Sequence, residues 1–209
     1  MINATSDGKT FDPVPAGTYV ARCYQMIHIG TIEQEFMGEK KEMNKVRISW
    51  ELPTETKIFK QELGEEPYTV SKDFTLSMHE KANLRKFLES WRGKGFNEEE
   101  AKCFDITKLL GKPCMLSVIH KTSKAGKIYA EISSASTLPR GMACPEQIND
   151  NFEFTYEPFS QKKFDSLPDW LKDKIKSSRE YREIAEPSHR EAEPDVSELS
   201  GADDDSLPF

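Results

Sequence analysis

The sequence lacks almost everything that chemistry at an enzyme site requires. Its four cysteines, Cys23, Cys103, Cys114 and Cys144, stand far apart with no CxxC or similar metal spacing. No Gly-rich loop of the P-loop or dinucleotide type occurs, and His28, His79, His120 and His189 form neither H-x-E nor H-E-x-x-H. The paired carboxylates Glu65-Glu66 and Glu98-Glu99-Glu100 fall in an expected loop and an expected first helical turn, where solvation and the helix dipole account for them. No apolar run approaches the length of a membrane-crossing helix. The start, MINATSDGKT, is polar and has no apolar leader core. The expectation is a cytoplasmic, non-enzymatic protein with reduced, mostly buried thiols, no metal, no cofactor and no membrane attachment.

What the chain does have is uneven charge. Over 209 residues the formal charge is −7, and residues 183–209 hold nine acidic side chains and one basic, a net of −8. The difference leaves residues 1–182 at +1, so the acidity belongs to the tail and leaves the body open to a polyanionic partner. The tail ends in Asp203-Asp204-Asp205-Ser206-Leu207-Pro208-Phe209. Exposed Leu207 and Phe209 gain nothing from water. The stretch therefore reads as a partner-binding hook: carboxylates for steering, apolar side chains for a pocket, and an α-carboxylate for a basic clamp. The alternative is a solvated acidic tail that happens to end in Phe.

Residues 1–16 read as an irregular arm, with Pro13 and Pro15 blocking a regular start. A β-rich run from Gly17 to Ile29 puts Tyr19, Ala21 and Cys23 on one face and Val20, Arg22 and Tyr24 on the other. After a polar connection, a second strand from Lys41 to Leu52 alternates Val46, Ile48, Trp50 and Leu52 inward with Lys45, Arg47 and Ser49 outward. Pro53 is expected to end it, with an acidic loop to Pro67 and a third strand from Tyr68 to Leu76. Ser77-Met78-His79-Glu80 has the form of a capping box, predicting a helix through Leu84, Phe87, Leu88 and Trp91 that stops at Gly93. Short helical turns follow near Asn97 and from Asp105 to Leu110. Strands four and five run from Lys112 to Lys121 and from Lys127 to Ser134, separated by a basic turn.

Three strands, a helical insertion and two more strands is the order of the OB fold. The expected architecture is therefore mainly β: a five-stranded OB-like Greek-key barrel with helices between strands 3 and 4, a C-terminal helix and a disordered acidic tail. Its divisions are the arm (1–16), the OB domain (17–139), a connector with a basic amphipathic helix (140–182) and the tail (183–209). That helix runs from Pro168 to Arg182 with Trp170, Leu171, Ile175 and Tyr181 on one side, and its region, from Lys162, holds seven basic and four acidic residues. Another small barrel or sandwich with a helical excursion is the competing architecture.

The outward residues suggest a ligand. Phosphates need diffuse positive charge, and unpaired bases stack on aromatic rings for about 1–3 kcal/mol each. Arg22, Tyr24, Lys45 and Arg47 on the strands, Lys121, Lys124 and Lys127 in and beside the loop between strands four and five, and Tyr129 after it form the candidate DNA-binding set. Ordinary surface charge, or aromatic packing beneath a loop, is the alternative for each.

With these features assembled, the chain resembles a single-stranded DNA-binding protein of the bacteriophage type. The end DDDSLPF is similar to the acidic tip of bacterial single-stranded DNA-binding proteins. The stretches LSMHEKANLRKFLESWRGKGF, ITKLLGKPCMLSVIH and IYAEISSASTLP are similar to small phage-encoded proteins of this kind. The resemblance covers about a third of the chain. It implies a protein that coats and protects single-stranded DNA without strong sequence preference during phage DNA replication or recombination, in the host cytoplasm if phage-encoded. It also implies recruitment of helicase, primase, nuclease or polymerase partners through Asp203, Asp204, Asp205, Leu207, Pro208 and Phe209. The long helical insertion and residues 140–182 depart from the bacterial pattern, so neither its tetramer nor its stacking aromatics carry over. A non-catalytic assembly adaptor with an OB-like body is the rival, and a nuclease or annealing enzyme using the carboxylate clusters is a further one.

Overall fold

The structure, a computed structural model, describes residues 13–36, 38–62 and 64–185. Five strands carry the barrel: β1 Gly17–Phe36, β2 Glu39–Lys60, β3 Gly64–Thr75, β4 Pro113–Thr122 and β5 Ile128–Ser136. They form an antiparallel curled sheet in the order β3-β2-β1-β4-β5. The two edge strands, β3 and β5, come back beside one another without a ladder. This is the connectivity of an OB-like barrel left partly open at one seam. Lys72 crosses that seam, donating from Nζ to the Ile132 carbonyl at 2.5 Å.

Alternation on β2 fills the barrel as expected: Val46, Ile48, Trp50 and Leu52 are all buried. Ala21, Cys23, Cys114 and Leu116 complete the interior, and the two thiols are free. Helix α1 (Asn83–Arg92) closes one end, bringing Phe87 and Trp91 against Trp50 with ring centroids 5.7 Å away. Gly93 stops the helix in the left-handed conformation, φ 64°, with its N–H and the next returning to the last turn. The capping box does not form. Helix α1 begins six residues later than Ser77, after Ala82, and Ser77 Oγ only accepts a local bond from the His79 N–H. Helix α2 (Glu98–Lys102), capped by Asn97, and a 3-10 turn (Ile106–Leu109) lead into β4.

Both hairpins are longer than periodicity suggested. Strand β1 continues through the polar stretch to pair Phe36 with Glu39, and β2 runs past Pro53 to Lys60. Proline is tolerated there because the β2–β3 register shifts between Leu52 and Thr56, so Pro53 sits in an irregularity where no ladder N–H is required.

Residues 140–185 pack along β1. Strand β6 (Phe152–Phe154) pairs in parallel with β1 at Gln25–Ile27, and α3 (Gln161–Asp165), α4 (Asp169–Lys176) and α5 (Arg179–Ala185) follow it. The expected single helix breaks at Ser177–Ser178, where buried Ser178 turns its hydroxyl to the Ile175 carbonyl and accepts from the Tyr181 N–H. Two register shifts in β1, at Cys23/Gln25 and His28/Gly30, change which side chains face inward. Met26 therefore enters the barrel, while Ile27, Ile29 and Ile32 turn outward into a second core with Phe154, Phe164, Leu171 and Ile175. Tyr156 anchors this core: its hydroxyl lies 2.8 Å from both the Ile29 carbonyl and Ser178 Oγ, and burial pushes its pKa up to about 12.

Candidate nucleic-acid interface

The outward face of β2 and β3 divides into a covered part and an open part. At the covered end Glu51, fully buried, accepts from the Ile148 N–H at 2.9 Å, the Asn149 N–H at 2.8 Å and the Asn149 side-chain amide at 2.7 Å. Its register neighbour Arg22 donates to the carbonyls of Gly111 and Pro145, each at 2.7 Å. Arg22 faces outward as its parity requires, yet its guanidinium bridges Gly111, just before β4, to Pro145 of the segment that covers this end.

The open part is a groove of about 600 Å³ between β3, the far end of the β2–β3 hairpin and the start of β5. Three of the sequence-selected residues line it together: Arg47, Lys127 and Tyr129. Two further aromatics line it that strand parity did not single out, Phe59 and Tyr68, meeting edge-on at 5.2 Å. Phe59 was hidden because the segment after Pro53 reads as loop, and Tyr68 because it lies on the inward parity of β3. Tyr129 is 42% exposed, and the adjacent Ile128 is also open to solvent. Tyr24 borders this region beside Thr69, a lining residue, and burial raises its pKa.

Beyond Arg47 the positive charge continues. Asp73 accepts from Arg47 Nη1 at 2.7 Å and from Lys174 Nζ of α4 at 2.6 Å. Lys45 donates to Thr75 Oγ1 at 3.0 Å close by, and burial lowers its pKa while Asp73 partly restores it. Three cations thus surround one carboxylate. A second hollow of about 540 Å³ follows, lined by Lys45, Lys72, Thr75, His79 and Lys81.

The remaining residues of the candidate set lie apart. Lys121 pairs with Glu131 across the β4–β5 ladder at 2.9 Å, and Lys124 stands exposed in the turn between these strands. His120 sits at the barrel end, 2.8 Å from the Val14 carbonyl. Asp203, Asp204, Asp205, Leu207, Pro208 and Phe209 lie outside the described residues. Among the described residues, no group of three or more His, Cys, Asp or Glu side chains could hold a metal ion, and no helix is long and apolar enough to cross a membrane.

The groove therefore combines a guanidinium, an ammonium, three aromatic rings and one carboxylate, Glu66, on the face flanked by the hairpins of an OB-like barrel. It can neutralise phosphates and stack planar groups. No family model matches this chain, and no curated protein matches it significantly.

Proposed function

We propose that this protein binds single-stranded DNA along the groove and coats it without strong sequence preference, as in phage replication or recombination. One observation carries the proposal: Arg47, Lys127 and Tyr129 meet Phe59 and Tyr68 in a single groove of an OB-like barrel. Backbone neutralisation with base stacking is sequence-tolerant because every base has a phosphate and a π-face. In this reading the tip, residues 203–209, recruits replication or recombination enzymes, which the apolar-ended acidic sequence supports.

The test is a titration of fluorescein-labelled oligo(dT) followed by anisotropy at low and moderate salt. Affinity should fall with a slope of about −0.7 per phosphate neutralised. Absence of binding at low salt refutes the proposal.

One observation favours an adaptor instead. A cleft of about 600 Å³ on the side of the insertion is lined by apolar residues including Met26, Leu76, Met78, Phe104 and Phe154. A protein using only that cleft would show no oligonucleotide binding in the same titration.

A further inference from the structure

Helix α4 presents a large aromatic side chain that its own packing leaves open. Leu171 and Ile175 anchor the helix in the second core, both nearly fully buried, whereas Trp170 is 53% exposed. This departs from the helical spacing, which grouped Trp170 with Leu171, Ile175 and Tyr181. The indole is held nonetheless. The Arg47 guanidinium carbon lies 4.8 Å from its ring centroid, within cation–π range, and Lys174 on the same helix is tied to Asp73. Arg47 is also a wall of the groove. One guanidinium therefore joins the barrel groove to an exposed ring on a different element.

The charge there is unbalanced in a useful direction. Arg47, Lys45, Lys172, Lys174 and Lys176 stand against Asp73, Asp169 and Asp173, with Asp169 paired to Lys172 at 2.8 Å, so the region around the ring keeps a positive surplus. A positive surplus next to a fixed, accessible indole matches the repeat of a nucleic-acid strand, in which each phosphate is followed by a flat base.

We infer that a single strand leaving the groove passes over Arg47 and stacks a base on Trp170. Residues 140–185 thereby form part of the nucleic-acid path as well as a cover for β1. The inference rests on the single-strand reading above and adds a residue outside the barrel to it.

Trp170 supplies its own reporter. Trp50 and Trp91 are 0% and 3% exposed, so quenching of tryptophan emission by unlabelled oligo(dT) arises at Trp170. The full chain should show quenching that saturates together with the anisotropy of the labelled oligonucleotide. Trp170→Leu keeps apolar bulk beneath Arg47 but offers no π-face, and should weaken binding about 5- to 150-fold. Trp170→Tyr should recover most of that loss. Urea unfolding of each variant, followed by emission of the buried tryptophans, should match the parent because the side chain is exposed. Binding by anisotropy without quenching, or a Trp170→Leu variant that binds like the parent, overturns the inference and leaves the groove standing. Absence of anisotropy change for the parent at low salt overturns both.

Discussion

Replacing Glu51 with alanine isolates what holds residues 140–150 to the barrel. The carboxylate is fully buried and serves three donors, two of them backbone N–H groups. A hydrogen bond to a charged group contributes about 1.5–3 kcal/mol, so three independent ones would set a ceiling of about 9 kcal/mol. The real loss is smaller because Ile148 is exposed, and the loop can swing into water and rehydrate its N–H groups. Losing at least one such bond, and at most about half the ceiling, gives an expected destabilisation of about 2–5 kcal/mol. With a urea slope of about 2 kcal/mol/M, the unfolding midpoint should fall by about 1–2.5 M. Limited proteolysis should show new cleavage between residues 140 and 151. Glu51→Gln should fall between parent and alanine, since it keeps one acceptor but turns an amide donor toward N–H groups. A midpoint within about 0.3 M of the parent, with no new cleavage, would refute the view that this buried carboxylate secures the segment.

Three other outcomes follow from the same contacts. Asp73→Asn releases Arg47 and Lys174 from their shared carboxylate, so oligo(dT) affinity should rise and the salt slope steepen by about 0.7 per added phosphate contact; an unchanged slope would count against the cationic track. Gly30→Ala should destabilise the packing of α5, since Gly30 has φ +92° and a Cβ there would lie 2.7 Å from Glu180 Oε2 and 2.8 Å from Ser178 Cβ; differential hydrogen exchange of residues 178–185 measures it. Burial disfavours ionised Glu180, but bonds from the Thr31 N–H at 2.6 Å and hydroxyl at 2.7 Å outweigh it, leaving the pKa below the usual 4.5. Its contribution is complete above that value and is lost as pH falls through the lowered one, so the urea-midpoint gap between the parent and Glu180→Gln should close in acid.

The barrel interior was legible because β2 alternates without interruption from Val46 to Leu52, and Val46, Ile48, Trp50 and Leu52 fix its inward face by parity alone. Strand order followed from the helical insertion between the third and fourth strands. The outward face was harder. Parity shows that Arg22 and Arg47 point away from the core, but not that carbonyls 89 and 123 residues away in sequence claim the first. Register shifts are equally silent: nothing in the spacing of Ile27, Ile29 and Ile32 says that β1 changes the core it serves. Ser77 to Glu80 satisfied a local pattern, but the β3 ladder runs to Thr75 and the chain bends and turns through residues 79–81 before α1 starts at Asn83. The groove was half-read, with its cations and Tyr129 on the expected parity and its other two rings in places where proline or parity pointed elsewhere.

The second core on β1 has a consequence for any attempt to handle the barrel alone. A chain cut after Pro139 would keep every strand of the OB-like order. It would also strip the cover from Ile27, Ile29 and Ile32, and free the edge of β1 at Gln25–Ile27 that β6 occupies. An apolar stripe next to an unpaired strand edge is a template for sheet-to-sheet association. Such a fragment would aggregate although its own barrel is whole. The working unit for biochemistry extends to residue 185, well past the last strand of the barrel.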